Sequence, residues 1–358
     1  VFIGVSQLES PLAHWAPLLG VYGVTFTTVM IAALLSTVIQ QGLQRRTLAV
    51  APLTVIVSLL AASILLSQVR WTTPTGRLID AVVVQPNLSA SEKWDTQKFA
   101  QHIAHTKALT EPYWFADVIV WPETAIPAFT HNVKPLLTEL DQKATLRSAA
   151  LLVGIATQEP THLSNVVMGL GTAKGEVSKT HLVPFAEELP WYKEWKDVYT
   201  SLGFDKPRYQ AGTDQAATIT ANGLQFAVAV CFDIAYPPLS GHSTSPDLLI
   251  EASNNAWFDD TPGLDQFVQM ARMRALEAGR PLLRSTNSGV SVLVGPDGEI
   301  LSQLKSNTAG ALRGTVPVMQ GATPFMRLGG HWAVTCIVLF TVMVLGLNGL
   351  LARRSTTR

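Results

Sequence analysis

Cysteine is nearly absent from this sequence: 358 residues hold two, Cys231 and Cys336. They stand in regions of different character, so a disulfide between them is not expected, and a lone cysteine in a mixed region is a candidate for reactivity. Charge is scarce as well, at 15% of residues, and the 26 basic side chains balance 26 acidic ones. Such a chain presents no basic patch, which argues against nucleic acid as a partner. Gly-rich phosphate loops, metal-ligand spacings, internal repeats and low-complexity segments are all missing, so neither metal nor cofactor is expected. His102 and His105, three apart on an expected helix, read as part of a solvated face. The chain opens at Val1 without a methionine or a charged leader, and is expected to be a fragment whose earlier part holds further spans.

What the sequence has in abundance is apolar residues, 47% of the total, and they concentrate at the two ends. Leu18 to Ile39 carries no charge, Thr47 to Val69 repeats the pattern, and Trp332 to Leu351 does so again near the C-terminus. A bilayer core of ~30 Å takes about 20 apolar residues in a helix, whereas soluble helices average ~11 to 12 residues. Three transmembrane helices are therefore expected. Arg45-Arg46 lie between the first two, and Arg353-Arg354 with Arg358 follow the third. Basic residues in short flanking loops stay in the cytoplasm, which puts the region from about 78 to 328 on the opposite side, the periplasm of a bacterium.

That middle region switches to short apolar runs separated by turns. Strands are expected at 79–85, 117–121, 151–155, 165–170, 224–231, 247–252, 281–285, 291–294 and 299–304, with helices at 94–109, 133–148 and 264–279. Mixed strands and helices without a repeat suggest a layered α/β domain. Gly295-Pro296-Asp297-Gly298 reads as a hairpin turn.

Three places at strand ends could do chemistry, because rigid scaffolds present catalytic groups on such loops. Glu123 follows an apolar strand and is hemmed by Pro122 and Pro127, Lys179 precedes an apolar turn containing Glu187 and Glu188, and Cys231 closes a run of small and β-branched residues. A carboxylate can take a thiol proton and an ammonium can stabilise an oxyanion. Each also has a plain structural reading: Cys231 as a small core hydrophobe, Glu123 as a helix-entry carboxylate, Lys179 as a surface charge. The residue types alone leave both readings open.

The words around these residues are more specific. WPETAIP at 121–127, KTHLVPFAEELP at 179–190, VCFDI at 230–234 and SNNAWF at 253–258 resemble, in this order, the signature segments of the nitrilase superfamily of carbon–nitrogen hydrolases. With QMARMRALEAGRPLLRSTNSG at 269–289 and the flanking spans, the chain is similar more narrowly to the apolipoprotein N-acyltransferase family. The resemblance implies an α/β fold, a nitrilase-like four-layer αββα sandwich at 78–328. Two transmembrane helices (about 18–39 and 47–69) would lie in 1–77, and one with a basic cytoplasmic tail in 329–358.

It implies Glu123 as general base, Lys179 as oxyanion stabiliser and Cys231 as nucleophile. Glu187 matches a further carboxylate and Trp94 a tryptophan on an arm over the site. Four positions depart from the family pattern: Phe232 and Asp233 stand for Tyr and Glu, Ala186 for Gly, and Phe267 for His. Asp is one methylene shorter than Glu, which puts its reach in question.

The implied reaction moves an acyl chain from a phospholipid donor, through a cysteine thioester, to the amino terminus of a diacylglyceryl-apolipoprotein. The expected protein is a monomer of the bacterial inner membrane with its catalytic domain in the periplasm. Phe185, Trp191, Tyr192, Trp195 and Phe204 form either an apolar lid or a loop packed on the core. The alternative function, a membrane-tethered amidase, shares the triad but has no need of the spans.

Overall fold

The computed structural model describes residues 2–45, 49–204, 209–213, 218–238, 245–258 and 261–356. Arg46 and Arg358 of the basic clusters, and the start of the expected span at Thr47, lie outside the described residues.

Two mixed sheets form the centre. The first orders β14 (Gly310–Gly321), β1 (Thr72–Gln85), β2 (Val118–Val120), β4 (Ala150–Gln158), β5 (Leu163–Gly171) and β7 (Glu176–Ser178), with β3 (Ile126–Phe129) also on β4. The second orders β13 (Ile300–Gln303), β12 (Val292–Val294), β11 (Leu282–Thr286), β10 (Leu248–Ser253), β9 (Leu224–Val230), β8 (Thr218–Ala221) and β6 (Ala173–Lys174). All nine expected strands are present.

Alternation decides the layers. In β1, Ile79, Ala81 and Val83 face the second sheet and join Phe226, Ile250 and Leu283 in the inter-sheet core. Val82 and Val84 point the other way, into a layer with Ile103 of α3 (Phe99–Thr110) and Leu140 of α4 (Lys134–Leu146). On the outer face of the second sheet, Ala271, Met273 and Ala275 of α6 (Gly263–Ala278) pack on Leu282 and Val292. The stack is αββα, the expected four layers. Strands buried on both faces need apolar residues at nearly every position, which is why they stand out in the sequence.

Two expectations about α3 fail. The helix starts at Phe99 rather than at Trp94, because Ser89–Asp95 closes on itself: the Lys93 N–H donates to the Ser89 carbonyl at 3.0 Å and the Asp95 N–H to that of Glu92 at 2.9 Å. The two histidines do not form a solvated face either. His102 is buried, and His105 is half-buried with Nε2 on the Pro86 carbonyl at 3.0 Å.

Outside the sandwich lie α1 (Ala16–Arg45) and α7 (Pro324–Thr356), and two stretches, Pro11–Gln44 and Pro324–Gly346, are long and apolar enough to cross a membrane. They pack together, with Phe26 edge-on to Phe340 at 5.8 Å between ring centres. The helix between them in sequence, α2 (Val50–Leu66), has 17 residues, about 25 Å at 1.5 Å per residue. It is joined to the start of α1 by Trp15 Nε1 donating to Ser63 Oγ at 2.9 Å. Gly20 breaks α1 at φ 63°, where a Cβ would sit 2.3 Å from the Phe325 ring.

The parallel pairings set up the site. β9, β10 and β11 run in parallel register, so Cys231, Ser253 to Asn255 and Asn287 emerge at one edge. The end of β1 meets that edge, since Ser285 Oγ donates to the Val84 carbonyl at 2.8 Å and the Asn87 N–H to the Asn287 carbonyl at 2.7 Å. Carboxyl ends of parallel strands are where open α/β sheets hold ligands.

Candidate active site

Glu123 is buried just past β2. Trp121 before it is fully buried with Nε1 on Thr110 Oγ1 at 2.9 Å, and Gly154 on β4 leaves room for the turn: a Cβ there would stand 2.2 Å from the Pro122 carbonyl oxygen. The carboxylate oxygen Oε1 accepts from Asn165 Nδ2 at 2.5 Å and lies 3.5 Å from Lys179 Nζ. Lys179 follows β7 and is 1% exposed, so the surface reading of this residue fails. Its N–H donates to the Asn165 carbonyl at 2.8 Å, and its Nζ donates to Glu187 Oε1 at 2.8 Å. Glu187 in turn accepts from the Val183 N–H at 2.8 Å through Oε2, which locks the turn.

Cys231 opens a short 3-10 turn, Cys231–Ala235, directly after β9 and has φ 52°. A non-glycine residue in the left-handed region carries strain of order 1–3 kcal/mol, and such strain clusters at functional sites. A core cysteine ending a strand has no need of this bend. The bend turns the residue out of the strand, half-buried as a whole while its thiol is desolvated.

Electrostatics couple the three. Burial, then the nearby Glu123 charge, push the Cys231 thiol up to about 12, against the pull of Lys179, the Ser253 hydroxyl and the Asn254 backbone. Burial alone lowers Lys179, but the charges of Glu123, Cys231 and Glu187 outweigh it and hold the ammonium above its ordinary range. Lys179 is therefore a fixed cation, and Cys231 is a thiol at neutral pH.

The other singled-out residues divide. The Asp233 carboxylate reaches across to the lysine loop, where Oδ1 accepts from the His181 N–H at 2.6 Å and from Thr180 Oγ1 at 3.0 Å, while Oδ2 accepts from the Val230 N–H at 3.1 Å. Its short side chain does not keep it from the site. Phe232 packs edge-on to Tyr236 at 5.3 Å and joins the apolar layer under the second sheet. Ala186 needs no glycine: the left-handed residue of that turn is Phe185, at φ 64°. Phe267 is buried beneath the Arg284 guanidinium, 5.6 Å from its ring centre. Trp94 is 49% exposed and Phe185, Trp191 and Trp195 more so, at 55 to 75%. These aromatics are not packed on the core.

Sequence reasoning missed four residues. Asn165 links Glu123 to the lysine strand. Arg284 and Glu251, both fully buried, form an ion pair across β10 and β11. Lys93, 1% exposed, donates from Nζ to the Glu123 carbonyl at 3.0 Å. A lysine between Glu92 and Trp94 in a polar stretch gives no local sign of burial. Beside the site lies a cavity of about 110 Å³ bounded by Thr180, Asp233, Arg274, Leu282 and Phe325. Neighbours of Glu123, Lys179 and Cys231 wall it, although these three residues themselves do not.

Residues 81–323 match the carbon–nitrogen hydrolase family. Solved structures share the architecture: a CN-hydrolase superfamily protein from Xanthomonas campestris aligns with a TM-score of 0.50 at 16% identity, covering 75% of this chain and 97% of that one. A carbon–nitrogen hydrolase from Helicobacter pylori G27 does so at 0.51 and 16%, covering 67% and 89%. The fold and the matched segment define the class, a carbon–nitrogen hydrolase. Within it, a relative from Pseudomonas syringae pv. tomato is 34% identical over 351 residues, 95% of this chain and 68% of the relative, and one from Vibrio cholerae is 33% identical over 361 residues, 97% and 69%. Both bear the name apolipoprotein N-acyltransferase, and the chain belongs to that family.

Proposed function

We propose that this chain transfers an acyl chain from a phospholipid to the N-terminal amine of a diacylglyceryl-apolipoprotein, through a thioester on Cys231. The observation that carries the reading is the buried Glu123–Lys179–Glu187 cluster beside a strained Cys231, on a domain whose two ends are membrane-length helices packed together. Family membership favours the transferase over a small-amide hydrolase.

With a thiol near 12, a standing thiolate is not the nucleophile, so proton removal accompanies attack. Glu123 takes the Sγ proton as sulfur bonds to the ester carbonyl, and its own charge, one cause of the high thiol value, disappears in the same step. Lys179 faces the oxyanion that forms. Collapse breaks the ester C–O bond, Glu123 returns the proton to the leaving oxygen, and lysophospholipid departs. The lipoprotein amine then attacks the thioester, and Glu123 accepts its proton as the amide forms and the thiol is restored. Splitting one acyl transfer into two steps is what the covalent intermediate contributes.

Both substrates are lipids, which suits a site tethered to the bilayer by helices. The exposed Trp191 and Trp195 are amphipathic residues of the kind found at membrane interfaces. Arginines at 45 and 353–354 favour a cytoplasmic position for those helix ends, with the catalytic domain in the periplasm and the helices in the inner membrane. A reporter inserted at residue 150 is expected outside the cytoplasm.

Intact-mass spectrometry after incubation with phospholipid and no acceptor tests the reaction. The expected result is a gain of one acyl chain, removed by neutral hydroxylamine and absent from Cys231→Ala. No adduct on folded protein, with ammonia released from small amides, would move the assignment to an amidase.

A further inference from the structure

Lys93 is unusual among the buried cations here. Lys179 and Arg284 each have a carboxylate partner, and Arg280 donates to three backbone carbonyls. Lys93 has one neutral acceptor, the Glu123 carbonyl, and among the described residues no carboxylate oxygen lies within ion-pairing distance. A buried ammonium so poorly partnered is costly. A compensating negative charge is expected where the reaction develops one.

Counting charges around Cys231 shows where. At rest Glu123 and Glu187 contribute two negative charges, Lys179 and Lys93 two positive ones, and the thiol none. When Glu123 takes the thiol proton it becomes neutral while the negative charge passes to sulfur and then to the substrate oxygen. The sum stays at zero throughout. With Lys179 as sole cation the same cluster would carry one net negative charge at every stage, and the oxyanion would compete with Glu187 for a single ammonium. Three other charged or titratable groups lie nearby but outside this cluster: Arg284 is paired with Glu251, the Asp233 carboxylate is held by the N–H groups of Thr180, His181 and Val230 and by the His181 ring, and Tyr209, beside Glu187 and Glu123, is a neutral phenol whose pKa burial raises further.

We propose that Lys93 is a positioning residue of the acyl transfer: anchored on the Glu123 carbonyl, its ammonium is the second cation that keeps the Glu123–Lys179–Glu187–Cys231 cluster neutral as charge moves to the substrate. The inference builds on the reading of Cys231 as nucleophile. Burial, opposed by Glu123 and Cys231, lowers Lys93 to about 8, so the second cation is present at neutral pH and lost in mild alkali.

The test compares the full chain in detergent micelles with Lys93→Gln, which keeps an N–H donor for the Glu123 carbonyl but not the charge, and Lys93→Met, which keeps neither. Two rates are read against pH: thioester formation from phospholipid, and alkylation of Cys231 by iodoacetamide, quantified on its own peptide so that Cys336 does not contribute. At pH 7 both variants are expected to be slower in both reactions, by on the order of tenfold. The gap in alkylation closes above about pH 8, where the wild type loses its own Lys93 proton. Wild-type rates in Lys93→Gln with a slow Lys93→Met would make the lysine a mere anchor and overturn the proposal, as would a gap that does not change with pH. If phospholipid leaves no adduct on the wild type yet the alkylation gap appears as described, the charge balance stands and the assigned acyl donor fails.

Discussion

The Asp233 carboxylate, two residues beyond Cys231, accepts a hydrogen bond at 2.6 Å from the backbone N–H of His181, two residues beyond Lys179. One side chain thus ties the turn that presents Cys231 to the loop that presents Lys179. Thr180 adds its hydroxyl at 3.0 Å, and the Val230 N–H adds a bond at 3.1 Å from the strand that leads into Cys231. Hydrogen bonds to a charged group contribute about 1.5–3 kcal/mol each. Asp233→Ala is therefore expected to slow thioester formation by on the order of tenfold or more, because Lys179 and Cys231 lose their common brace. Thr180→Val removes one of these bonds and is expected to cost less. Acylation rates of the two variants, followed by intact mass, check the order.

Gly154 on β4 has no room for a side chain. An added Cβ would meet the Pro122 carbonyl oxygen at 2.2 Å, Glu123 Cα at 2.7 Å and the Thr124 nitrogen at 2.7 Å. All three are backbone atoms of the turn that carries Glu123, and Thr124 already sits at φ 46°. Overpacking costs about 1–3 kcal/mol, and here the turn must give way. Gly154→Ala should lower the thermal midpoint and the acylation rate together. A variant with normal acylation would show that Glu123 tolerates displacement.

Arg284 and Glu251 sit side by side on β11 and β10, both at 0% exposure, with Arg284 also donating to Asn255 Oδ1 at 2.8 Å and lying over the Phe267 ring. Removing one partner of a buried ion pair costs about 3–5 kcal/mol, whereas replacing both by apolar residues of similar volume is often neutral or stabilising. Glu251→Leu alone should destabilise strongly, and Glu251→Leu with Arg284→Met should recover most of the loss. Thermal unfolding of both variants in micelles measures the coupling. Equal loss in the single and double variants would exclude it.

Much of this fold is legible in the sequence because burial on both faces leaves a written record. Runs such as Ala81–Val84 and Ala227–Val230 are apolar at every position, so their strands are expected where they occur. β14 escapes that reading: it pairs along nearly all of β1, but its alternating, partly exposed face with Arg313 and Thr315 reads as loop. The site is legible where its residues lie in distinctive words, around Glu123, Lys179 and Cys231. Lys93 and His102 are not, since a polar residue becomes a core residue only when distant segments close over it. Asp233 shows the same limit in the other direction, for its reach depends on the position of residue 181, some fifty residues earlier.

The same closure gives Lys93 a measurable cost. Its value falls from 10.5 to about 8 on folding, with burial the leading cause and Glu123 and Cys231 opposing. Because the folded value lies below the unfolded one, the unfolded chain binds the extra proton between these limits, and stability rises with pH through that window. Below about pH 8 the full penalty is present, about 3 kcal/mol at 1.36 kcal/mol per pH unit. Part of that is offset by the bond from the charged ammonium to the Glu123 carbonyl, about 1.5–3 kcal/mol. Lys93→Met should therefore be more stable than the wild type at pH 7, by up to about 1.5 kcal/mol, while transferring acyl chains more slowly. The advantage should shrink as pH rises from 8 towards 10.5, where both folded and unfolded lysine are neutral. Thermal midpoints of the two proteins at pH 7 and pH 10 decide it: a methionine variant less stable at pH 7 would mean that Lys93 contributes to the fold, not that the fold bears its cost for the sake of the site.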